Sequence, residues 1–285
     1  MSDTAIYVFS HHAMATIFQA RIAGEDRNYA AQAAQVAFDL VDQLESLLSR
    51  FRENSEIRRI AELFPGEKMR LSQPVYACLK IAREMETATH RAFCIAPAAL
   101  QTQHELPRWS LAPDELSIRC EAGKLNFDLG AIGKGYALDC MAEELSDWDC
   151  PSCLLIAGGS SVLAGAPPPG GALGWSVGLG EDNSETRCRL SNGSLSGSGV
   201  AVKGKHILDP RTGKPAEQRP RAWALASTAA ESDALSTAAM VLSEPELAEC
   251  LAGCKDWLVF LKSSSELRHF GGRELPAFER SPEVS

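Results

Sequence analysis

The chain has 285 residues, 45% of them hydrophobic, and 28 basic against 37 acidic side chains for a net charge of −9. That balance leaves no cationic footprint for a phosphate backbone, so nucleic acid is not an expected partner, and no apolar run approaches the roughly 20 residues of a membrane span. The segment MSDTAIYVFSHHAMATIF lacks the basic and apolar regions of a secretion signal, and nine scattered cysteines, an odd number, fit a reducing compartment; the expectation is a soluble, cytoplasmic protein.

In chain order, residues 16–22 alternate Phe18, Ala20 and Ile22 against Gln19 and Arg21, the period of a half-buried strand. Asn28 is expected to cap a long helix with the stripe Ala33, Val36, Ala37, Leu40, Leu44, Leu47 and Leu48. Residues 72–88 repeat the helical signature with Val75, Leu79, Ala82 and Met85. LSIRC and KLNFD flank Glu121-Ala122-Gly123 and read as two short strands joined by a turn. A helix over 134–145, the buried strand CLLIAG, the loop APPPGG, the strand WSVGL and the small-residue loop SLSGSG follow. AWALAS and WLVFL are two further strands, separated by helices over 231–241 and 246–251. The sum is an α+β fold: a single bilobal domain over 1–275 with one mixed or antiparallel sheet flanked by helices, and a frayed tail over 276–285.

Three segments could carry chemistry. In FDLGAIGKGYALD, 127–139, the expected strand ends at Asp128, passes Gly130, Gly133 and Gly135, and enters a helix near Lys134. Such a turn frees backbone N–H groups at a helix N-terminus and suits a phosphate-bearing ligand, although the spacing matches neither the P-loop nor the dinucleotide fingerprint and a plain glycine-rich turn would look the same. In GKHILDPRTGKP, His206 stands beside Asp209-Pro210-Arg211-Thr212-Gly213, a strong turn sequence whose Asp and Gly could simply close the turn. In AAESDALSTAAMVL, Asp233 and Thr237 are four residues apart on one helix face and could offer a carboxylate and a hydroxyl to one hard cation; they could equally serve the helix dipole and bond back within the helix. IAGGSS, ending a buried strand, is a tight turn or a ligand edge. The CPSC pair Cys150 and Cys153 has redox or half-zinc spacing but no second pair or histidine partners, and we read it, like Cys250 and Cys254, as core or surface thiols.

The order of these segments resembles the FAD:protein FMN transferase, or ApbE, family. The counterparts of its motifs are MAT at 14–16, LSRF…SEI at 48–57, RAFCIAP at 91–97, DLGAIGKGYALD at 128–139, AGGSS at 157–161, LSGSG at 195–199, HILDPRTGKP at 206–215 and SDALST at 232–237. The resemblance implies an ApbE-like, T-fold-related architecture and an Mg²⁺-dependent enzyme that moves FMN from FAD to a threonine of an acceptor flavoprotein, with AMP leaving. Carried over by position, the metal ligands are Asp233, Thr237 and the carbonyl of Ala131. The FAD contacts are Met14 and Phe51 near the rings, Ala92, Phe93 and Cys94 along one wall, Asp128 and Lys134 near the turn, and Ile207. His206 is the candidate general base, since a neutral imidazole is available near pH 7.

The chain departs from the family pattern at Cys94 (an Asp in Phe-Asp-Pro), Ser160 (the Asp of Gly-Gly-Asp) and Ala61 (an Asn after Ser-Glu-Ile-x-x-Leu). All three departures are expected on the FAD wall, away from the metal. They keep two alternatives open: an Mg²⁺-dependent FAD pyrophosphatase yielding FMN and AMP, and a catalytically silent FAD-binding protein.

Overall fold

A computed structural model of the chain describes residues 5–24, 26–96, 107–170, 173–179, 186–199, 209–213, 220–263 and 267–279. Its frame is an eight-stranded sheet of β1 (Ala5–Ala13), β2 (Thr16–Gly24), β6 (Cys153–Ala157), β7 (Ser161–Ala164), β10 (Gly193–Gly199), β11 (Arg221–Ala226), β12 (Leu258–Lys262) and β13 (Leu267–Gly271), hydrogen-bonded in that order. Two smaller sheets accompany it: β3 (Lys68–Arg70), β5 (Ser117–Ala122) and β4 (Arg108–Ala112), and β14 (Phe278–Glu279), β9 (Arg187–Leu190) and β8 (Trp175–Gly178). Every pairing among the described strands is antiparallel, so the expected mixed or antiparallel sheet is antiparallel, and two small antiparallel sheets join the large one. The α+β class holds.

Side-chain alternation puts a different core on each face of the large sheet. Phe18, Ala20 and Ile22 of β2 and Ala222, Ala224 and Ala226 of β11 face α1 (Arg27–Leu48), α3 (Gln73–Ala88), α4 (Gly133–Asp147) and α5 (Ala229–Ala239) in the main core. Trp223 and Leu225 face the other way, into a second cluster with Trp175, Val177 and Leu190 of the β8–β9 sheet. Two further helices are α2 (Glu56–Ile60) and α6 (Glu244–Ala252). No helix among the described residues is long and apolar enough to cross a membrane.

Several sequence expectations shift. The α1 cap is Asp26, which accepts from the N–H groups of Asn28 and Tyr29; a carboxylate serves two donors at once, and Asn28 sits inside the first turn. KLNFD forms no strand, because β5 pairs with β3 and β4 instead. SLSGSG is not a loop: it is most of β10, paired on both sides. The start of the tail is held, since Arg189 N–H donates to Ala277 O at 2.8 Å and Glu279 meets Arg189 at 2.6 Å.

Candidate active site

The turn leading into α4 is built by alternation. Phe127 and Leu129 are buried and anchor it, while Asp128 between them reaches the surface. The Asp128 N–H donates to Ile95 O at 2.7 Å, its Oδ1 accepts from Gly130 N–H at 2.9 Å, and its Oδ2 lies 3.6 Å from Arg50 Nη2. Asp128 therefore closes its own turn. The helix starts without a side-chain cap, and Lys134 Nζ donates back to Gly130 O at 3.3 Å.

Within its first two turns α4 meets α5 closely and the two helices exchange bonds. Asp233 of α5 is only 6% exposed; its Oδ2 accepts from Gly135 N–H at 2.8 Å and its Oδ1 from Ser161 Oγ at 2.6 Å. In return, the Asp139 carboxylate of α4 accepts from Ala229 N–H at 2.6 Å and Ala230 N–H at 2.9 Å, serving the orphan donors at the α5 N-terminus. Burial pushes the Asp139 carboxyl up to about 7 against the pull of those two N–H donors. Thr237 Oγ1 donates to Asp233 O at 3.1 Å.

The outer flank of α5 is held by serines. Ser196 meets Ser232 at 2.8 Å and Ser198 meets Ser236 at 3.0 Å. Two strand residues advance about 6.6 Å and four helix residues about 6 Å, so the two series keep step.

These elements enclose a cleft of ≈ 420 Å³ whose lining includes Ala131, Lys134, Ser160, Arg221, Asp233 and Thr237. Met14, Ala15, Gly130 and Lys134 also line a neighbouring, more apolar cleft of ≈ 230 Å³, where Leu48, Phe51 and Leu129 stand beside the charged Glu45, Arg50 and Asp128. The two are one groove with a polar and an apolar half. Its rim is the β1–β2 hairpin, where Met14 and Ala15 have φ of 49° and 56° and Met14 N–H donates to Glu45 Oε2 at 2.8 Å. Gly158, at φ +60°, faces that hairpin: a Cβ there would stand 2.7 Å from Thr16 Oγ1.

The structure thus brings Met14, Phe51, Asp128, Ala131, Lys134, Asp233 and Thr237 to one groove. Ala92 and Phe93 are not part of it. Each is 1% exposed in the main core, because the chain leaves α3 through left-handed His90 and Arg91 and turns inward, with Phe93 N–H donating to Thr89 Oγ1. Their side chains are turned into the core, which leaves only backbone atoms of this stretch for a ligand wall. Cys94 is half-buried, and burial, with Glu86 beside it, pushes its thiol up to about 12. Ser160 is also corrected: it lines the same half of the groove as Asp233. Ala61 is the C-cap of α2. Cys150 and Cys153 are free and buried.

His206 and Ile207 lie outside the described residues. The turn after them is described: Gly213 N–H donates to Asp209 O at 2.8 Å, and Arg211 bridges Asp209 Oδ2 and Glu246 Oε1 at 2.8 Å each. Those contacts hold Asp209 below the usual carboxylate range and, after the Ser243 bonds, help bring Glu246 down to about 2.

Three site residues escaped the sequence reading. Arg221 opens β11 and adds a second cation to the polar half, with its guanidinium 5.4 Å from the Trp223 ring. Ser161 and Asp139 hold Asp233 and its helix, and both contacts span distant segments, so no local pattern marks their partners. The last residue of FDLGAIGKGYALD was the available signal for Asp139.

The chain is similar to known proteins along most of its length. The model of the ApbE family matches residues 14–258. A FAD:protein FMN transferase of Klebsiella pneumoniae is 24% identical over 250 residues, 75% of each chain. One from Escherichia coli K12 is 21% identical, covering 86% of this chain and 81% of that one. Among solved structures, flavin transferase ApbE from Vibrio cholerae superposes with a TM-score of 0.79 at 17% identity over 96% of this chain and 98% of that one. The ApbE protein of Thermotoga maritima gives 0.75 at 21% identity, with 97% of each chain covered.

Proposed function

The chain belongs to the ApbE family, and from that premise we propose that it is a cytoplasmic FAD:protein FMN transferase, using Mg²⁺ to move FMN from FAD onto a threonine of an acceptor flavoprotein with release of AMP. The observation that carries this reading is the groove: an apolar half under Met14 and Phe51 continuous with a polar half holding Lys134, Arg221, Asp233 and Thr237. A flavin dinucleotide is a ring system joined to a pyrophosphate. The groove offers a place for each in the same order.

The donor set suits a hard cation. Asp233 and Thr237 would hold Mg²⁺ together with the carbonyl of Ala131, three oxygen donors lining one half of the groove. Each Asp233 oxygen accepts one hydrogen bond, and a carboxylate has about four acceptor sites, so each oxygen keeps one. Thr237 directs its proton to the Asp233 carbonyl, so even with Ser198 Oγ donating to it at 3.4 Å one lone pair stays available. Bound there, the ion would neutralise pyrophosphate charge.

The remaining work falls to side chains. Lys134 and Arg221 share the described polar lining with a single carboxylate, Asp233, so they attract the pyrophosphate and offset charge developing on the departing AMP. Phe51 and Met14 keep a ring out of water. The acceptor threonine oxygen bonds to the flavin-side phosphorus, the bond from that phosphorus to the bridging oxygen breaks, and AMP leaves with the electron pair. His206 takes the threonine proton in this reading, on the segment leading into the turn that Arg211 ties to Glu246.

Incubating the protein with FAD, Mg²⁺ and a co-expressed acceptor flavoprotein should give a covalent FMN adduct on threonine by mass spectrometry. FMN and AMP released equally fast without acceptor would replace transfer by hydrolysis, and bound FAD that never turns over would replace it by binding alone. Asp233→Ala should lose turnover; wild-type rates from that variant would sink the metal assignment.

A further inference from the structure

We infer that Ser161 is a positioning residue for metal binding, setting the Mg²⁺ affinity of the groove through its hydrogen bond to Asp233. The inference rests on the reading of Asp233 as a metal ligand and adds a residue that touches neither metal nor substrate. Ser161 opens β7 directly after the Gly158-Gly159-Ser160 turn, is fully buried, and donates to Asp233 Oδ1 at 2.6 Å across 72 residues of sequence. Among the described residues it is one of two donors to this carboxylate; the other is Gly135 N–H.

The two donors grip opposite oxygens from different elements, one on β7 and one on α4. Together they fix the rotation of the carboxylate plane. Gly135 alone would leave it free to swing about a single bond. Ser161 has one proton, committed to Asp233, so in its 3.4 Å contact with Ser160 Oγ the proton must come from Ser160. A hydroxyl chain therefore runs from the groove lining to the buried carboxylate, where the family pattern has a second acidic residue at position 160. With serine there, Asp233 is the only carboxylate in the described lining of the polar half. Its aim is correspondingly more important, since no second acid shares the described lining of that half.

Partners that orient a metal ligand typically contribute about 10–100-fold in metal affinity. The test is Mn²⁺ binding followed by electron paramagnetic resonance, with and without ADP, which supplies the pyrophosphate without a flavin to transfer. Ser161→Ala should weaken Mn²⁺ binding by roughly 10-fold or more. Ser196→Ala, which removes an equally buried hydroxyl bonded to Ser232, should leave binding unchanged. In steady-state assays Ser161→Ala should raise the Mg²⁺ concentration for half-maximal rate while the rate at saturating Mg²⁺ recovers, which a general loss of folded protein would not produce. Unchanged or tighter Mn²⁺ binding by Ser161→Ala, alongside loss of binding by Asp233→Ala, overturns this inference and spares the metal site. Wild-type protein that binds no Mn²⁺, or Asp233→Ala that binds it normally, overturns the metal reading itself and this inference with it.

Discussion

Gly135→Ala is the sharpest test of how the groove is built. A Cβ at Gly135 would stand 2.1 Å from Ala229 O, 2.4 Å from Ala229 C and 2.7 Å from Ala230 N. All three atoms are backbone, so no side chain can swing aside, and α4 and α5 must part by roughly 1.4 Å to reach ordinary contact. Parting them strains three bonds that cross the same junction: Gly135 N–H to Asp233, and Ala229 and Ala230 N–H to Asp139. Overpacking of this kind costs about 1–3 kcal/mol, and weakening charge-assisted bonds adds about 1.5 kcal/mol or more for each one lost. Against this stands the helix propensity gained, about 1 kcal/mol. The clash wins, and the net loss should be about 3 kcal/mol, a large share of a total stability of about 5–15 kcal/mol. Urea unfolding reads this directly: with a slope of about 3 kcal/mol per molar, the midpoint should fall by about 1 M. Gly133→Ala is the control, since its Cβ meets only Leu129 Cβ at 3.7 Å; that variant should hold or raise the midpoint. Equal midpoints for the two variants would refute the close-crossing account.

Two further variants probe other parts of the molecule. Glu246 is held down to about 2, from an ordinary 4.5, by the Ser243 bonds first and then by Arg211. Its ionised form therefore contributes stability above about pH 4.5 that is lost as pH falls through about 2; Glu246→Gln should melt below wild type at neutral pH, with the gap closing in acid, and a gap constant across that window would contradict the assignment. Phe51 is 81% exposed beside Met14 in the apolar half of the groove. Phe51→Ala should leave the melting temperature nearly unchanged and raise KM for FAD about tenfold, the low end of a ring-stacking contribution of about 1–3 kcal/mol, with little change in kcat. An unchanged KM would remove Phe51 from the ligand site.

The elements legible from sequence are those whose burial shows as a period. The stripe Ala33, Ala37, Leu44 and Leu48 marks α1, and Phe18, Ala20 and Ile22 mark β2, because each faces one core and the opposite side faces water. β10 is invisible to the same test. Its serines face α5 and its glycines lie under larger neighbours: a Cβ at Gly197 would be 3.0 Å from Trp223 Cδ1, and one at Gly199 would be 3.2 Å from Arg221 Nε. Both faces are covered, yet neither carries a hydrophobic residue at those positions, so the segment reads as a loop. β14 escaped for another reason: two residues carry no period, and their hold on β9 depends on Arg187 and Arg189 far back in the chain.

The site divides along the same line. The i, i+4 spacing of Asp233 and Thr237 was sufficient to put them on one helix face, since that follows from helical geometry alone. What orients Asp233 is tertiary: Ser161 and Gly135 are brought to it by β7 and α4, and Asp139 reaches the start of its helix from the other end of the same glycine-rich segment. The compositional poverty of SLSGSG, AGGSS and SDALSTAA is what makes this possible. Bulky side chains would hold β10, β7, α4 and α5 apart, and the short bonds that aim the carboxylate exist only because Gly, Ala and Ser let four backbones approach. A substitution that adds one methyl group at Gly135 therefore tests the site and the fold together, whereas removal of one hydroxyl at Ser161 tests the site while leaving the backbone approach intact.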